Sequence, residues 1–219
     1  MDFVEPRRPI AASFVGGRGH YEHVVQAVME ARRSVWIATA NLKELMVEDH
    51  RAAPGRRRTT RAGRGAASYR SILAVFAELA SRGVELRILH ASPPSGPFRA
   101  ELARHPALER ALSLRACPRV HFKAVVVDGG FLYLGSANWT GAGLGAKGTG
   151  RRNFELGFAT ADDLLLDRVQ ELYERVWRGG ACEGCKLREV CPAPLDGKPA
   201  VATAAVPRFA RERLSKARR

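Results

Sequence analysis

The feature of the sequence that most constrains its fold is a pair of short apolar runs around an Asp-Gly-Gly turn. Residues 121–138 read HFKAVVVDGGFLYLGSAN. β-Branched and aromatic residues dominate both runs, and the turn between them contains glycine, a pattern typical of a β-hairpin. Because successive side chains of a strand point to opposite faces, His121 and Lys123 share one face, and Asp128 lies on the other face at the turn.

The return strand and the third predicted strand, residues 153–159, carry further polar side chains. Alternation places Ser136 and Asn138 on one face of the return strand, and it places Asn153 and Glu155 together on the third. The opposite face of the third strand is predicted to be apolar and to contain Phe154, Leu156 and Phe158. Three neighbouring strands therefore bring a His, a Lys, a Ser, an Asn and a Glu to one pocket.

The chemistry of this residue set favours phosphoryl transfer. Lysine, serine and asparagine donate hydrogen bonds to phosphate oxygens, histidine can act as a nucleophile or an acid, and glutamate can orient an imidazole through its second nitrogen. No pair of acidic residues suited to Mg²⁺ accompanies them. The sequence therefore predicts phosphoryl chemistry without a metal cofactor for catalysis.

The rest of the chain predicts an α/β fold. The run SVWIATANL (34–42) reads as a buried strand, a helix with Ser68 as its N-cap ends at Gly83, and residues 84–90 read as a second buried strand. Strand, helix and strand in this order form a parallel βαβ unit. An amphipathic helix from Tyr21 and another over residues 162–177 complete a layered, mixed sheet flanked by helices.

Length and composition are those of a globular protein with one main domain. The chain has 219 residues, of which 46% are hydrophobic, and no run of about 20 apolar residues that could span a membrane. The N-terminus has no apolar signal segment, so the expected compartment is the cytoplasm. The predicted organisation is an N-terminal tail (1–18), a catalytic domain (19–178) with an arginine-rich insertion (50–66), a cysteine-rich segment (179–195) and a basic tail (196–219).

Positive charge is concentrated in two segments. The formal net charge is +14, and residues 51–64 contribute six arginines with no acid, whereas residues 205–219 contribute a further +5. Basic residues that neutralise phosphates gain affinity by releasing counterions, so the clusters predict a nucleic-acid partner. The alternative is a solvated loop in an arginine-rich sequence. The predicted contacts in the loop are Arg51, Arg56, Arg57, Arg58, Arg61 and Arg64.

The four cysteines form a possible metal site. Cys182, Cys185 and Cys191 have C-x2-C-x5-C spacing and are followed by Pro192, and Cys117 supplies a fourth thiol. Four thiolates suit tetrahedral Zn²⁺ or an iron–sulphur cluster. The spacing also resembles the C-terminal cysteine clasp of iron–sulphur exonucleases of the RecB type, which have an unrelated fold. Four spare thiols are the alternative.

The hairpin as a whole resembles the phospholipase D superfamily, whose signature is H-x-K-x4-D-x6-G-S-x-N. All six positions are present: His121, Lys123, Asp128, Gly135, Ser136 and Asn138. Six fixed positions, each at about 5% usage, match by chance on the order of 10⁻⁸ per starting residue. The resemblance extends over about 160 residues and is closest to compact, single-motif bacterial nucleases. Both tails are outside it.

The resemblance implies a role for each matching residue. His121 attacks phosphorus to form a phosphohistidine, and Lys123, Ser136 and Asn138 hold the non-bridging oxygens. Glu155 orients His121, although the glycine-rich run 141–150 lengthens the gap before it. Asp128 is a structural member of the catalytic motif at the strand end.

Three functions remain open at this stage. The first is a nuclease acting on DNA or RNA, favoured by the basic segments. The second is a lipid phosphodiesterase or phosphatidyl transferase. The third is an inactive nucleic-acid-binding module, which would not need the intact catalytic motif. Trp139, which follows Asn138, is a candidate base contact.

The single motif also predicts a homodimer. Phosphodiester cleavage needs a nucleophile and, on the opposite side of phosphorus, a proton donor for the leaving oxygen. One imidazole cannot fill both positions in the same step, so we expect a two-fold symmetric site with one His121 from each subunit. The alternative is a monomer in which a local histidine such as His90 donates the proton.

Overall fold

The computed structural model describes residues 4–49 and 68–197. Its strands are β1 (Ala12–Gly16), β2 (Ser34–Thr39), β3 (Met46–Asp49), β4 (Ser68–Ser71), β5 (Glu85–His90), β6 (Leu112–Ala116), β7 (Lys123–Val127), β8 (Phe131–Gly135) and β9 (Leu156–Thr160). Its α-helices are α1 (Gln26–Met29), α2 (Ile72–Ser81), α3 (Gly96–Leu102), α4 (Pro106–Ala111) and α5 (Asp163–Trp177). A π-helix (His20–Val25) leads into α1, and short 3₁₀ turns cover Thr149–Arg151 and Arg188–Val190.

A seven-stranded mixed sheet organises the fold, with the strand order β1-β9-β8-β7-β2-β5-β6. Strands β2, β5 and β6 are parallel, whereas β7, β8, β9 and β1 continue the sheet through antiparallel pairs. The βαβ unit formed by β2, α2 and β5 is confirmed, as is the predicted α/β class. Strand β1 pairs with β9, so the sheet begins inside the segment predicted to be an N-terminal tail.

The sheet is covered on both faces. One face is covered by the π-helix and by α1, α2, α3 and α4. On that face Val35, Ile37, Leu86 and Val125 form the centre of the larger core. Helix α5 covers the other face through Leu166 and Tyr173. We call these the multi-helix face and the α5 face. Apolar residues on both sides explain why β2, β5 and β7 read as continuous hydrophobic runs.

One predicted helix start is wrong by three residues. Residues Ser68–Ser71 form β4, which pairs with β3 in a separate two-stranded sheet, so Ser68 is not an N-cap. The cap is Ser71, whose hydroxyl oxygen accepts a hydrogen bond from the Leu73 amide at 3.0 Å. Both serines satisfy the local capping preference, and only the pairing of β4 with β3 distinguishes them.

Among the described residues, no helix is both long enough and apolar enough to cross a lipid bilayer.

Candidate active site

The motif residues other than Asp128 gather at one edge of the sheet, where the parallel strands β2 and β5 end. Lys123 begins β7 and pairs with Gly135 at the end of β8, which in turn pairs with Gly157 at the start of β9. Loops beyond the carboxyl ends of parallel strands are the usual ligand-binding position in open α/β sheets. The register therefore places His121, Ser136 and Glu155, each one or two residues outside a strand, at this edge.

An exposed imidazole lies beside a buried ammonium group. Lys123 Nζ lies 3.2 Å from Nδ1 and 3.5 Å from Nε2 of His121, and it donates a hydrogen bond to the His121 carbonyl oxygen at 2.6 Å. Lys123 is only 9% exposed, and burial lowers its pKa, an effect that the nearby Glu155 carboxylate partly offsets. Lys123 therefore places a positive charge directly beside the exposed imidazole of His121.

Glu155 is held by neighbouring polar side chains. The Ser136 hydroxyl donates to Glu155 Oε2, and the Asn153 amide donates to Oε1 at 3.1 Å. The Leu156 amide in turn donates to Ser136 Oγ at 3.1 Å. In the described part of the chain these hydrogen bonds do not include one from His121 to Glu155. The implied role of Glu155 in orienting the imidazole therefore stays a prediction, although the structure brings both residues to the same edge.

Asn138 is oriented by the loop that follows β2. Its side-chain oxygen accepts hydrogen bonds from the Ala40 and Asn41 amides, each at 3.1 Å, and from the Thr39 hydroxyl at 3.3 Å. Because the backbone donors occupy the oxygen, the amide nitrogen is left as a donor for a ligand. The sequence analysis did not identify Thr39 as part of the site. The only indication of its role was a polar residue at the end of an otherwise apolar strand.

Gly135 is required by a close approach in the sheet. A Cβ at this position would overlap the hydroxyl of Tyr133 and lie 2.6 Å from the Leu156 carbonyl oxygen. Tyr133 is fully buried, and burial raises its pKa to about 12. The buried imidazole of His20 contacts the Tyr133 ring edge to face, with centroids 5.5 Å apart. His20 was not predicted because it sits within an otherwise apolar helical stripe.

Asp128 lies at the opposite end of β7 from the pocket and has a structural role. Its carboxylate accepts hydrogen bonds from the backbone amides of Arg32, Arg33 and Ser34, the shortest at 2.7 Å. Its φ of 55° is in the left-handed region, which aspartate tolerates better than most residues. Burial opposes ionisation, but the backbone donors outweigh it and lower the pKa of Asp128. These contacts support the structural role that the resemblance implies for Asp128 within the motif.

Asp128→Asn is expected to lower the free energy of unfolding by about 1.5–3 kcal/mol at neutral pH, because hydrogen bonds to a charged acceptor are lost. The folded pKa lies below the unfolded value, so this stabilisation is present above the unfolded pKa near 4 and is lost as the pH falls through the folded pKa. Urea denaturation from pH 7 to pH 3 should show the two proteins converging. Asp167→Asn, at an exposed position, is the control, and a pH-independent difference would contradict this account.

The prediction that Trp139 contacts a base is wrong. Its side chain is 1% exposed and stacks on Phe76, with ring centroids 6.0 Å apart. A ring inside the core cannot stack on a ligand. The predicted contacts Arg51, Arg56, Arg57, Arg58, Arg61 and Arg64 lie outside the described residues, and so does the basic tail from residue 198.

The alternative proton donor, His90, ends β5 and pairs in register with Thr39 of β2. It lies on the same edge of the sheet as Lys123 but on the far side of β2. Its Nδ1 is 3.0 Å from the Ser92 carbonyl oxygen, and burial lowers its pKa. The ring is 6% exposed and therefore has little access to a substrate in the pocket.

The four cysteines are brought together on the α5 side of the molecule. Cys117, Cys182, Cys185 and Cys191 are free thiols that line one cavity of about 490 Å³. Within residues 4–49 and 68–197, no group of three or more His, Cys, Asp or Glu side chains is arranged to hold a metal ion. The four cysteines thus line the same cavity, and the predicted zinc or iron–sulphur site stays a prediction.

Comparisons with known proteins agree with this geometry. The family model for the cardiolipin synthase, PLD-like domain, matches residues 58–177, and no curated protein matches the sequence. Among solved structures, NucT from Helicobacter pylori is similar with a TM-score of 0.51 and 17% identity over 76% of this chain and 95% of its own. A phospholipase D family member, Nuc from Salmonella typhimurium, gives the same TM-score and identity over 78% of this chain and 95% of its own. Because the family model covers more than half of the chain and the fold agrees, the protein belongs to the phospholipase D-like domain family.

Proposed function

We propose that the protein is a phosphodiesterase that cleaves nucleic acid through a covalent intermediate on His121. The observation that carries the proposal is the exposed imidazole of His121 beside the buried ammonium of Lys123, 3.2 Å away. A fixed positive charge next to the nucleophile stabilises the charge that develops on the phosphoryl oxygens in the transition state. The amide nitrogen of Asn138 provides a further donor, and the hydroxyl of Ser136, which donates to Glu155, fixes that carboxylate at the edge of the pocket.

The reaction proceeds in two displacements. A neutral imidazole nitrogen of His121 attacks phosphorus, the bond to the leaving oxygen breaks, and that oxygen takes a proton from a general acid. Water then attacks the phosphohistidine and gives a proton to the same group, now a base, and the bond from phosphorus to His121 breaks. Lys123 and Asn138 supply positive charge and hydrogen bonds in both steps, so we expect no metal requirement in catalysis.

Charge favours nucleic acid over lipid as the substrate. The net charge of +14 includes six arginines in residues 51–64, whereas a lipid enzyme needs an apolar acyl pocket or an interfacial helix. The similarity to Nuc and NucT concerns the fold and does not by itself identify the substrate. A cleavage panel of single- and double-stranded DNA, RNA and phosphatidylcholine vesicles, run in excess EDTA, tests the proposal. Cleavage of the lipid alone, or of nothing without Mg²⁺, would contradict it.

The site is completed by a second copy of the chain. One His121 cannot be both nucleophile and acid, and an apolar patch borders Glu155: Phe14, Phe154 and Leu156 are 78%, 107% and 60% exposed. Phe154 and Leu156 were expected to face the interior, but α5 does not extend over them. Phe14 and Leu156 lie on one face of the β1–β9 pair, close to the pocket. This patch is the proposed contact with the partner subunit, whose His121 supplies the proton.

Light scattering should give about twice the monomer mass, and Phe154→Asp should reduce it to that of a monomer with greatly reduced cleavage. Burying a carboxylate against an apolar partner surface is unfavourable, whereas at an exposed position on a monomer it costs little. Val190→Asp, at another exposed apolar position, is the matched control. A fully active monomer would contradict the proposed dimer and favour His90 as the proton donor.

The arginine loop is proposed to supply much of the affinity for the polyanion. Neutralising Arg56, Arg57 and Arg58 together should weaken binding to duplex DNA and reduce the slope of log affinity against log salt by about 0.9 per lost phosphate contact. Fluorescence anisotropy with catalytically inactive protein measures that slope. Arg82→Gln, Arg104→Gln and Arg178→Gln, three exposed positions, form a charge-matched control. An unchanged slope would identify the loop as a solvated insertion.

A further inference from the structure

The cysteine-rich segment folds back onto the domain after α5. The guanidinium group of Arg115, on β6, donates to the Trp177 carbonyl oxygen at one end of the segment and, at 2.9 Å, to the Leu195 carbonyl oxygen at the other. Leu195 is buried against Tyr173, and Gly179, with a φ of 76°, packs so closely on Asp196 that a Cβ would overlap its amide nitrogen. The segment is therefore a closed loop attached at both ends.

The cysteine spacing matches the backbone hydrogen bonds of this loop. The amides of Cys182, Cys185, Arg188 and Cys191 each donate to the carbonyl oxygen three residues earlier, at 2.9–3.2 Å. Both intervals in C-x2-C-x5-C are multiples of three, so each cysteine is the last residue of its turn, and all three cysteines line one cavity.

The fourth thiol comes from a different part of the fold. Cys117 follows β6, its amide donates to the His90 carbonyl oxygen at 2.9 Å, and its carbonyl oxygen accepts from the Val120 amide at 2.9 Å. It lines the same 490 Å³ cavity as the three thiols of the loop, although 65 residues separate it from Cys182. Four free thiols from two segments thus line one partly open cavity.

The dimensions of this arrangement distinguish between possible occupants. A single Zn²⁺ with bonds to sulphur of about 2.3 Å requires its four thiolates to lie about 3.8 Å from one another. No such group occurs in the part of the chain that the structure describes. An iron–sulphur cluster contains its own bridging sulphides, so its cysteine ligands surround a larger volume. Because the four cysteines line one cavity of about 490 Å³ without forming such a group, a cluster suits them better than one ion.

The cavity lining also suits an anionic group. A cluster bound by four thiolates is negatively charged, and the charged residues of the lining are Arg119, Arg175 and Arg188 with one acid, Glu183, while Arg188 also pairs with Asp196 at 2.7 Å. Arg119 and Arg188 also donate to the carbonyl oxygens of Ala181 and Cys182, each at 3.3 Å, which fixes them beside the loop. Pro192 follows the last cysteine, as proline does in the cysteine run of bacterial ferredoxins.

We propose that Cys117, Cys182, Cys185 and Cys191 bind an iron–sulphur cluster of the four-iron type. Binding deprotonates the four thiols and releases their protons. The cluster joins the C-terminal loop to the turn after β6, which contains Cys117. His121 lies only four residues after Cys117. The role of the cluster is therefore structural: it fixes the turn from which the nucleophile extends. This inference does not depend on the proposed substrate or on catalysis.

The test uses the full-length protein purified without oxygen. Iron and acid-labile sulphide should each approach about four per chain, and dithionite reduction should produce the electron paramagnetic resonance signal of a reduced cluster. Single Cys→Ser variants at the four positions should lose most of both elements. Glu189→Gln, at an exposed position of the same loop outside the cavity lining, is the control and should retain them.

Metal analysis of the unmodified protein keeps the proposal testable if a serine variant fails to fold. Stoichiometric zinc without sulphide would overturn the cluster, and so would wild-type protein that binds neither metal after anaerobic reconstitution with iron and sulphide. Limited proteolysis gives a second readout: cluster-loaded protein should resist cleavage within residues 179–195, and removal of the cluster should expose that loop.

Discussion

Replacing His121 by alanine is expected to lower the rate of phosphodiester cleavage by roughly 10⁴-fold or more, because it removes the nucleophile and, in the dimer, the proton donor as well. Stability should change little, since the imidazole is exposed and its ring contacts are with Lys123. Single-turnover cleavage of DNA or an aryl phosphodiester in EDTA measures the effect. His23→Ala, at another exposed histidine, should retain full activity.

Mixed dimers extend this prediction to the shared site. When wild-type protein is incubated with an excess of inactive His121→Ala subunits, most wild-type chains pair with a variant, and cleavage per wild-type chain should fall in proportion. Rapid denaturation at alkaline pH, at which the phosphorus–nitrogen bond survives, should trap the phosphoryl end of a DNA substrate on His121 of the active enzyme and none on the variant. Undiminished activity in the mixture would show that each subunit contains a complete site.

Trp139→Ala is expected to destabilise the protein by about 3–5 kcal/mol, the range for removing a large buried aromatic ring. The ring stacks on Phe76, and the backbone of Trp139 accepts from the Lys43 amide and donates to Thr39 Oγ1, both at 2.9 Å. The residue therefore joins the loop carrying Asn138 to the loop after β2. Urea denaturation monitored by circular dichroism measures the loss.

Two further variants separate this core role from a base contact. Trp139→Phe retains an aromatic ring on Phe76 and should lose less stability than alanine, and Val4→Ala, at a position 96% exposed, should lose almost none. Trp139→Leu should bind DNA as tightly as the unmodified protein when corrected for the folded fraction. A loss of 1–3 kcal/mol in binding, the range for one stacked base, would contradict the structure.

The sequence by itself determined the elements whose information is local. Apolar runs and amphipathic stripes predicted β2, α2, β5 and α5, because burial on one stripe or both faces leaves a periodic pattern in the residues themselves. The motif's spacing predicted that His121 lies beside Lys123, because side chains two residues apart on a strand share a face. The same alternation set Asp128 apart from the pocket residues, and the structure places it at the opposite end of β7.

Only the tertiary structure decided the features that depend on a partner distant in the chain. Phe154 and Trp139 are both aromatic residues beside catalytic ones, yet Phe154 is exposed because α5 does not cover it and Trp139 is buried because Phe76 of α2 packs on it. Ser71 rather than Ser68 caps α2 because β3 pairs with the residues between them. Cys117 lies with the other cysteines because Arg115 holds both ends of their loop to β6. No local pattern encodes these contacts, since each depends on the relative positions of segments that only the folded sheet sets.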